Sequence, residues 1–281
     1  MSFEASSRSR FNDADYAIFR QFLEKSCGIL LGENKNYLID SRLRKILSDQ
    51  KISSLADLVR LVERRGNELL RQTVIDAMTT NETLWFRDRH PFEYFSSTLL
   101  PELMQSSDVV GRIWCAASST GQEPYTISMC IDEYRKKNPL VRRDVSILAT
   151  DISAGVLEQA RSGVYDSLAI NRGLSQDRLS RYFKALPNNQ WEVKPEIRQR
   201  VEYRQLNLKD SLASLGRFDV VFCRNVLIYF STDLQAEILR KIHGVLKPNG
   251  HLFLGGSETP KGLSQYFSMR YYTPGVIYQK K

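Results

Sequence analysis

The spacing of hydrophobic residues divides the chain into two parts of different character. From Asn12 to about Thr80, apolar positions recur every three or four residues, which predicts four amphipathic helices. Polar residues suited to helix capping precede two of them, namely Asn12, and Ser54 with Asp57 three positions later. The apolar positions are Tyr16, Phe19, Phe22, Leu23, Ile39, Leu43, Ile46, Leu47, Leu55, Leu58, Val59, Val62, Leu69, Leu70, Val74 and Met78. This pattern predicts a small all-α domain over residues 1–80.

A second pattern begins after Gly111, where short apolar runs alternate with helical segments. The predicted strands are RIWCAA, VSILATD, VEYRQLNL, FDVVFCRNV, HLFLGG and GVIYQKK. Such alternation is typical of a mainly parallel, doubly wound sheet, whose ligands bind beyond the carboxyl ends of the strands. Residues 168–200 depart from it, because a helical run is followed by YFKALPNNQWEVK. That run predicts an inserted hairpin that turns at Pro187–Asn189.

The stretch TTNETLWFRDRHPFEYF, between these two parts, fits neither pattern. It mixes polar groups with Trp85 and Phe86 ahead of a further helix. We interpret residues 81–110 as a linker and helix, hinged between the helical domain and an α/β domain over residues 111–281.

Composition narrows the class of protein without naming a ligand. The 281 residues are 42% hydrophobic and 26% charged, as in an ordinary globular protein. A net charge of +8 favours an acidic partner, which could be nucleic acid, anionic lipid or an acidic protein surface. No stretch approaches the roughly 20 apolar residues of a membrane-spanning helix, and no signal-peptide pattern begins the chain, so we expect a cytoplasmic protein. The four cysteines form no C-x-x-C pair, so we expect reduced thiols and no metal site.

The stretch WCAASSTGQEPYTIS predicts the end of a strand, a loop of small residues and the start of a helix. It contains one glycine, Gly121, where a loop that cradles pyrophosphate commonly has three. Glu123 begins the helix, where a carboxylate would repel phosphate but could hold an ammonium group or ribose hydroxyls. The loop therefore favours a ligand with a cationic end, such as S-adenosylmethionine. An ordinary strand-to-helix turn would also fit these residues.

Polar residues follow the other predicted strands. Asp151 ends the second strand, where it could accept hydrogen bonds from ribose hydroxyls or cap the next helix. Asn207 and Leu208 follow the third strand and could meet an adenine ring, and Asn225 follows the fourth. Because the carboxyl ends of parallel strands share one edge, we expect these residues to border one crevice.

Basic side chains lie off the apolar stripes of the second and third predicted helices. They are Arg42, Arg44, Lys45, Arg60, Arg64 and Arg65. Such groups often form a solvated face, and the alternative is a docking surface for an acidic partner.

The sequence resembles one family, the chemoreceptor glutamate O-methyltransferases of the CheR type. The matching stretches, in order, are TTNETLWFRD, WCAASSTGQEPYTIS, ILATDIS, YRQLNL, FDVVFCRNVLIYF and LKPNGHLFLGGSE. They cover nearly the whole chain, and STGQEPYTIS with CRNVLIYF is the most specific part. The resemblance implies an α/β fold: a class I S-adenosylmethionine-dependent methyltransferase with a Rossmann-like doubly wound sheet. It also implies a small all-α N-terminal domain and an inserted β-hairpin subdomain at about 168–200.

The resemblance also implies roles for single residues. With Gly121 added from the loop, the cofactor residues would be Asn81, Thr83, Arg87, Gly121, Glu123, Asp151, Asn207, Leu208, Asn225 and Val226. Arg87 would bind a carboxylate, either the substrate's or that of the cofactor's methionine end. Tyr229 would orient the reacting oxygen, unless it is an ordinary buried tyrosine. The basic helix faces would dock on glutamate-rich receptor helices.

The implied reaction is methyl transfer from S-adenosylmethionine to glutamates on the cytoplasmic helices of chemoreceptors. Its products would be S-adenosylhomocysteine and glutamate methyl esters that support chemotactic adaptation. We expect a monomeric enzyme without metal or nucleic acid, recruited to membrane receptor arrays through its substrate. The short turn with Pro187 further predicts that the hairpin binds no C-terminal receptor peptide.

Two other functions remain open. A nucleic-acid methyltransferase would suit the net charge, but CRNVLIYF stands where amino-methylating enzymes commonly carry an Asn/Asp-Pro-Pro-aromatic motif. A non-catalytic adaptor of the same fold is the other alternative, and the presence of Arg87, Glu123 and Asp151 argues against it.

Overall fold

The chain folds into two compact units. A computed structural model describes residues 10–105, 110–141 and 143–281. One unit extends to Thr80 and includes Tyr229–Ser231, and the other contains Asn81–Ile228 and Thr232–Lys281. We call them the helical unit and the catalytic unit.

Within its described residues, the helical unit contains four α-helices and one 3-10 turn. They are α1 (Asp13–Cys27), α2 (Asn36–Asp49), α3 (Leu55–Val62) and α4 (Glu68–Met78), and the 3-10 turn is Glu33–Lys35. Asn12 Oδ1 accepts a hydrogen bond of 2.8 Å from the Asp15 N–H at the start of α1. Ser54 Oγ likewise accepts one of 3.1 Å from the Asp57 N–H at the start of α3. Both predicted helix caps are confirmed.

One position departs from the predicted apolar stripes. Leu69 is 82% exposed, whereas Val74 and Met78 of the same helix are buried. Leu70, Val74 and Met78 follow one another at intervals of four and share a face, and Leu69 is turned about 100° away from it.

The catalytic unit contains the remaining elements of the described chain. Its strands are β1 (Val110–Ala116), β2 (Asp144–Asp151), β3 (Val164–Asp166), β4 (Phe183–Leu186), β5 (Gln190–Val193), β6 (Val201–Gln205), β7 (Phe218–Cys223), β8 (Leu246–Leu254), β9 (Phe267–Tyr272) and β10 (Gly275–Lys280). Its helices are α5 (His90–Tyr94), α6 (Leu100–Gln105), α7 (Gln122–Lys137), α8 (Ala154–Ser162), α9 (Ser167–Ile170), α10 (Gln176–Tyr182), α11 (Pro195–Arg198) and α12 (Thr232–Val245). A π-helical turn, Phe95–Leu99, joins α5 to α6, and a 3-10 turn occurs at Ala213–Leu215. A further 3-10 turn, Leu227–Tyr229, ends at the first residue of the segment that is counted with the helical unit.

Seven strands form one sheet in the order β6-β2-β1-β7-β8-β10-β9. Strands β6, β2, β1, β7 and β8 run parallel to one another, while β10 runs antiparallel to both β8 and β9. The predicted mainly parallel sheet is confirmed, and β9 was missing from the prediction. The order places the carboxyl ends of β6, β2, β1 and β7 side by side, so the residues after these strands are neighbours.

The inserted subdomain is larger than a hairpin. A second sheet, in the antiparallel order β3-β5-β4, begins at Val164 rather than near residue 168. The predicted turn at Pro187–Asn189 is confirmed, with positive φ at Asn188 and Asn189. Pro187 lies beyond the last paired residue of β4, Leu186, so it removes no hydrogen-bond donor from that edge strand. The expectation that this subdomain binds no receptor peptide therefore depends on the short turn alone.

The interpretation of residues 81–110 as a linker is wrong for the part that the structure describes. Trp85 and Phe95 are fully buried and Phe92 is 2% exposed, and all three belong to the hydrophobic core of the catalytic unit. Their irregular spacing hides this burial in the sequence, because the backbone around Phe86 is neither helix nor strand.

The cysteines are also part of the buried interior. Cys27, Cys115, Cys130 and Cys223 are buried thiols, and burial raises the pKa of Cys115 and Cys223 well above the ordinary thiol value. Among the described residues, no group of His, Cys, Asp and Glu could hold a metal ion. None of the described helices combines the length and apolar character that a membrane crossing requires.

Candidate methyltransferase site

The loop between β1 and α7 packs against a cluster of tyrosines. At Gly121, where φ is +96°, a Cβ atom would lie 2.8 Å from Tyr203 Oη, 3.0 Å from Ala160 Cβ and 3.1 Å from Tyr165 Oη. Positive φ and this close approach together require glycine. The absent side chain of Gly121 would face the tyrosines, so the glycine packs the loop onto the protein.

Asp151 fixes the same loop from the end of β2. Its side chain is buried, with Oδ2 accepting a 2.8 Å hydrogen bond from the Ser119 N–H and Oδ1 a 3.0 Å bond from the Ser153 N–H. Ser153, rather than Asp151, caps α8 through its Oγ and the Val156 N–H. The helix-cap interpretation of Asp151 is therefore wrong. Each carboxylate oxygen has more than one acceptor position, so Asp151 could also accept hydrogen bonds from ribose hydroxyls.

Glu123, at the start of α7, forms an ion pair with a buried arginine. Glu123 Oε2 lies 2.9 Å from Arg224 Nη1, and the two side chains are only 14% and 2% exposed. Arg224 Nη2 also lies 2.6 Å from Asp88 Oδ2 and donates a 3.0 Å hydrogen bond to the Arg87 carbonyl. Burial raises the pKa of Glu123, while the charges of Arg224 and Arg87 act in the opposite direction. Two carboxylates thus meet one arginine here, which leaves excess negative charge for a cationic ligand group.

Sequence reasoning missed Arg224 and Asp88. Arg224 directly follows the buried strand FDVVFC, and an arginine in that position is buried only when it is paired. The arginine in CRN therefore indicated a buried ion pair, but the residues that pair with Arg224 can be named only from the fold.

Arg87 lies in a stretch of strained backbone. Phe86, Asp88 and Arg89 have positive φ values of 51°, 66° and 52°. Non-glycine residues in this conformation cost on the order of 1 kcal/mol or more each, and they persist only where their surroundings hold them. Arg87 donates a 3.0 Å hydrogen bond to the carbonyl of Glu82, and among the described residues it forms no ion pair.

The inserted subdomain and its neighbours hold this stretch in place. The Trp85 N–H donates a 3.1 Å hydrogen bond to the Arg172 carbonyl, and its indole ring packs edge-on against Tyr165 with centroids 4.9 Å apart. The guanidinium of Arg178 lies 3.9 Å from the centre of the Phe86 ring. The subdomain therefore supports the backbone that carries Arg87.

Two backbone contacts place the next predicted residues near the loop and near the end of β2. Ser119 Oγ donates a 2.8 Å hydrogen bond to the Asn81 carbonyl, which places the half-buried Asn81 and, two residues later, Thr83 beside the loop. The Leu206 N–H donates a 2.9 Å bond to the Asp151 carbonyl, which places the following Asn207 next to the end of β2.

The adenine side of the predicted crevice combines an apolar residue with an amide. Leu208 is 6% exposed. Asn225, with φ +58°, follows β7, and its Oδ1 is buried without a hydrogen-bond partner among the described residues. A buried, unpaired acceptor fits a ligand that brings a donor, such as the amino group of adenine. Val226, the next residue, is half-buried.

The other predicted residues lie in the helical unit. Tyr229 belongs to it, and its carbonyl accepts a 2.8 Å hydrogen bond from the Leu30 N–H. Its catalytic role stays a prediction.

Of the basic residues, Arg42 is occupied within the helical unit. Its Nη1 donates hydrogen bonds of 2.8 and 2.9 Å to the Met78 and Thr79 carbonyls, so it stabilises the end of α4 rather than facing a partner. Arg60 pairs with Asp57 at 3.3 Å. The four that remain exposed, with no ion pair among the described residues, are Arg44, Lys45, Arg64 and Arg65.

Family models match nearly the whole chain. The CheR methyltransferase all-alpha domain matches residues 14–79, and the CheR methyltransferase SAM binding domain matches residues 81–276. The chain belongs to the CheR methyltransferase family. The resemblance inferred from the motifs is confirmed, and with it the fold class and the cofactor, S-adenosylmethionine.

Curated relatives of this CheR methyltransferase are similar over nearly their full length. Chemotaxis protein methyltransferase 1 of Pseudomonas aeruginosa is 54% identical over 272 residues, which cover 96% of this chain and 98% of the relative. Chemotaxis protein methyltransferase Cher2 of Pseudomonas putida is 53% identical over 269 residues, covering 95% and 98%. The chemotaxis protein methyltransferase of Vibrio parahaemolyticus is 47% identical over 270 residues, covering 96% and 98%.

Proposed function

We propose that this enzyme transfers a methyl group from S-adenosylmethionine to glutamate side chains on the cytoplasmic helices of chemoreceptors. The observation that carries the proposal is the contrast between its two site arginines. Arg224 is neutralised by Glu123 and Asp88, whereas Arg87 donates a hydrogen bond to the neutral Glu82 carbonyl and forms no ion pair within the described part of the chain. An arginine without a carboxylate partner, beside a pair of carboxylates, fits an anionic group on a substrate or on the cofactor. The names of the relatives support a role in chemotaxis.

The site chemistry suits a carboxylate acceptor. A glutamate side chain, with a pKa near 4.3, is already ionised at neutral pH, so its oxygen can attack a methyl group without a general base. The protein then has to hold the two reactants in line, at roughly 3 to 3.5 Å, and exclude water. S-adenosylmethionine supplies the electrophilic methyl group when it is bound. Asp151 would hold its ribose, Glu123 its ammonium group, and Asn225 with Leu208 its adenine.

Receptor binding would use the exposed cations of the helical unit. Arg44 and Lys45 on α2, and Arg64 and Arg65 after α3, would attract a glutamate-rich helix, mainly by speeding encounter at low salt. Methylation of that helix would remove negative charge and tune receptor signalling. We further propose a monomeric, cytoplasmic enzyme that joins receptor arrays through its substrate and needs no C-terminal receptor peptide.

The direct test is incubation with radiolabelled S-adenosylmethionine and purified receptor cytoplasmic fragments, followed by alkali. We expect label on the receptor that alkali releases as volatile methanol, since glutamate methyl esters are base-labile. Arg87→Ala should abolish most of this label, while the control variant Arg89→Ala, which removes an exposed arginine from the same segment, should keep it. Alkali-stable label on added RNA would overturn the proposal, and an absence of transfer to any acceptor would favour the adaptor alternative.

A further inference from the structure

Glu258 is a buried carboxylate that the reaction chemistry does not use. It lies four residues after the end of β8, in the stretch GGSE, and is 7% exposed. Five backbone N–H groups donate to it: those of Asn225 (2.8 Å) and Gly255 (2.7 Å) to Oε2, and those of Val226 (2.9 Å), Leu227 (2.7 Å) and Ile228 (3.3 Å) to Oε1.

The electrostatics of this contact are unusual. A buried carboxylate normally needs a cation, yet no lysine or arginine of the described chain forms an ion pair with Glu258. Four of its five donors are consecutive amides, and successive N–H groups that converge on one point make an anion-binding concavity. The protein thus fills its own anion site with a side chain from another part of the fold.

The hydrogen bonds to Glu258 hold the turn that follows β7. The chain leaves β7 through Asn225, which has a left-handed φ of +58°, and the Glu258 carboxylate holds this turn by accepting hydrogen bonds from its N–H groups. The packing is tight, since a Cβ atom at Gly255 would lie 2.7 Å from Glu258 Oε2 and 2.8 Å from Asn225 Nδ2. A change at Glu258 would therefore move Asn225 and Val226 directly.

We infer that Glu258 is a positioning residue for the cofactor, because it fixes the turn that presents Asn225 and Val226 to the adenine ring. The inference depends on the methyltransferase site described above, and on Asn225 and Val226 contacting the cofactor. It is independent of the methyl acceptor. Measurements of S-adenosylhomocysteine binding therefore test it even if the receptor proposal fails.

The chain offers a matched control near the start of β7, at the end of this strand that lies away from the turn. Asp219, in β7, is also a largely buried carboxylate: it accepts a 2.7 Å hydrogen bond from the Arg112 N–H and lies 3.0 Å from Lys247 Nζ. Asp219→Asn should thus weaken the fold without touching the turn after β7.

The experiment is calorimetric titration of Glu258→Gln and Asp219→Asn with S-adenosylhomocysteine, alongside thermal unfolding. The amide NH₂ of Gln would face N–H donors, so we expect at least a tenfold weaker affinity for Glu258→Gln and a change below twofold for Asp219→Asn. Adenosine alone should lose affinity by the same factor, because the disturbed contact is at the adenine end.

Three results would overturn the inference: affinity of Glu258→Gln within twofold of the natural enzyme, equal weakening in Asp219→Asn, or unchanged adenosine binding. If Glu258→Gln does not fold, Glu258→Asp replaces it, since it keeps the charge but withdraws the carboxylate by one methylene. Weakened binding in a folded Glu258→Asp would support positioning, and unchanged binding would contradict it.

Discussion

Two irregular backbone stretches border the site, and they are stabilised differently. The loop after β1, residues 117–121, has positive φ at Ala117 and Ser119, and its main anchor, Asp151, ends the adjacent strand. The stretch 85–89 also has positive-φ residues, but its anchors come from distant parts of the chain. Arg224, for example, is 136 positions away from Asp88.

The two stretches therefore depend on different parts of the catalytic unit. The loop after β1 depends mostly on neighbouring strands of the parallel sheet. The stretch that carries Arg87 depends on the inserted subdomain through Arg172, Arg178 and Tyr165. We therefore expect changes in the subdomain to impair methyl transfer more than cofactor binding.

The largest effect should come from Gly173→Ala. Gly173 has φ +95°, and a Cβ atom there would overlap the carbonyl oxygen of Trp85. Because the obstacle is backbone, the Trp85 stretch must shift, and Arg87 with it. We expect methyl transfer to fall by about a hundredfold, or roughly 2.7 kcal/mol in the barrier, with less than a tenfold loss of S-adenosylhomocysteine affinity.

Gly262→Ala is the control for this change. Gly262 also has positive φ, +69°, but its added Cβ would meet nothing within 4 Å. Gly262→Ala should introduce backbone strain without a steric clash. We expect it to lower the free energy of unfolding by about 1 kcal/mol and to leave activity nearly unchanged. Parallel losses of binding and turnover in Gly173→Ala would show that the two stretches are not independent.

A smaller effect is expected from Tyr165, which contacts both stretches with different parts of its side chain. Its hydroxyl donates a 2.6 Å hydrogen bond to the Thr120 carbonyl in the loop, while its ring packs on Trp85. Tyr165→Phe removes only the first contact, so S-adenosylhomocysteine affinity should fall about two- to tenfold at unchanged single-turnover rate. Tyr125→Phe, whose hydroxyl bonds the Ala160 carbonyl, is the matched control. A slower chemical step in Tyr165→Phe would contradict this division.

The comparison also explains what could be predicted from the sequence. Helix caps such as Asn12 and Ser54, the strand alternation and the loop around Gly121 are local features, whose signals lie within a few residues of the structure they specify. The position of Asp151 beside the loop could be predicted because it follows from the order of a parallel sheet.

The missed features are all non-local. Arg224 and Glu258 owe their roles to partners far along the chain, and a buried charge in a sequence does not name its partner. Trp85 was assigned to a linker because irregular backbone buries residues without a helical or strand period. Arg42 was assigned to a docking face because the helical pattern predicts that its position is exposed. In the structure, the carbonyls at the end of α4 accept its hydrogen bonds.

The smallest effect near neutral pH should come from Glu123, whose charge links the two stretches through Arg224 and Asp88. Burial raises the pKa of Glu123 above that of a free glutamate, so on acidification it takes up a proton earlier than a free glutamate does. Protonated Glu123 cannot pair with an ammonium group, which itself stays charged in acid. S-adenosylhomocysteine affinity should therefore fall on acidification, and the fall should begin at a higher pH than the protonation of a free glutamate would give. Glu123→Gln should bind weakly and lose this acid dependence. Asp88→Asn should move the fall to lower pH, because Arg224 then pairs with Glu123 alone and favours its ionised form. Titrations at several pH values measure both shifts, and an acid dependence that persists in Glu123→Gln would assign the proton to another group.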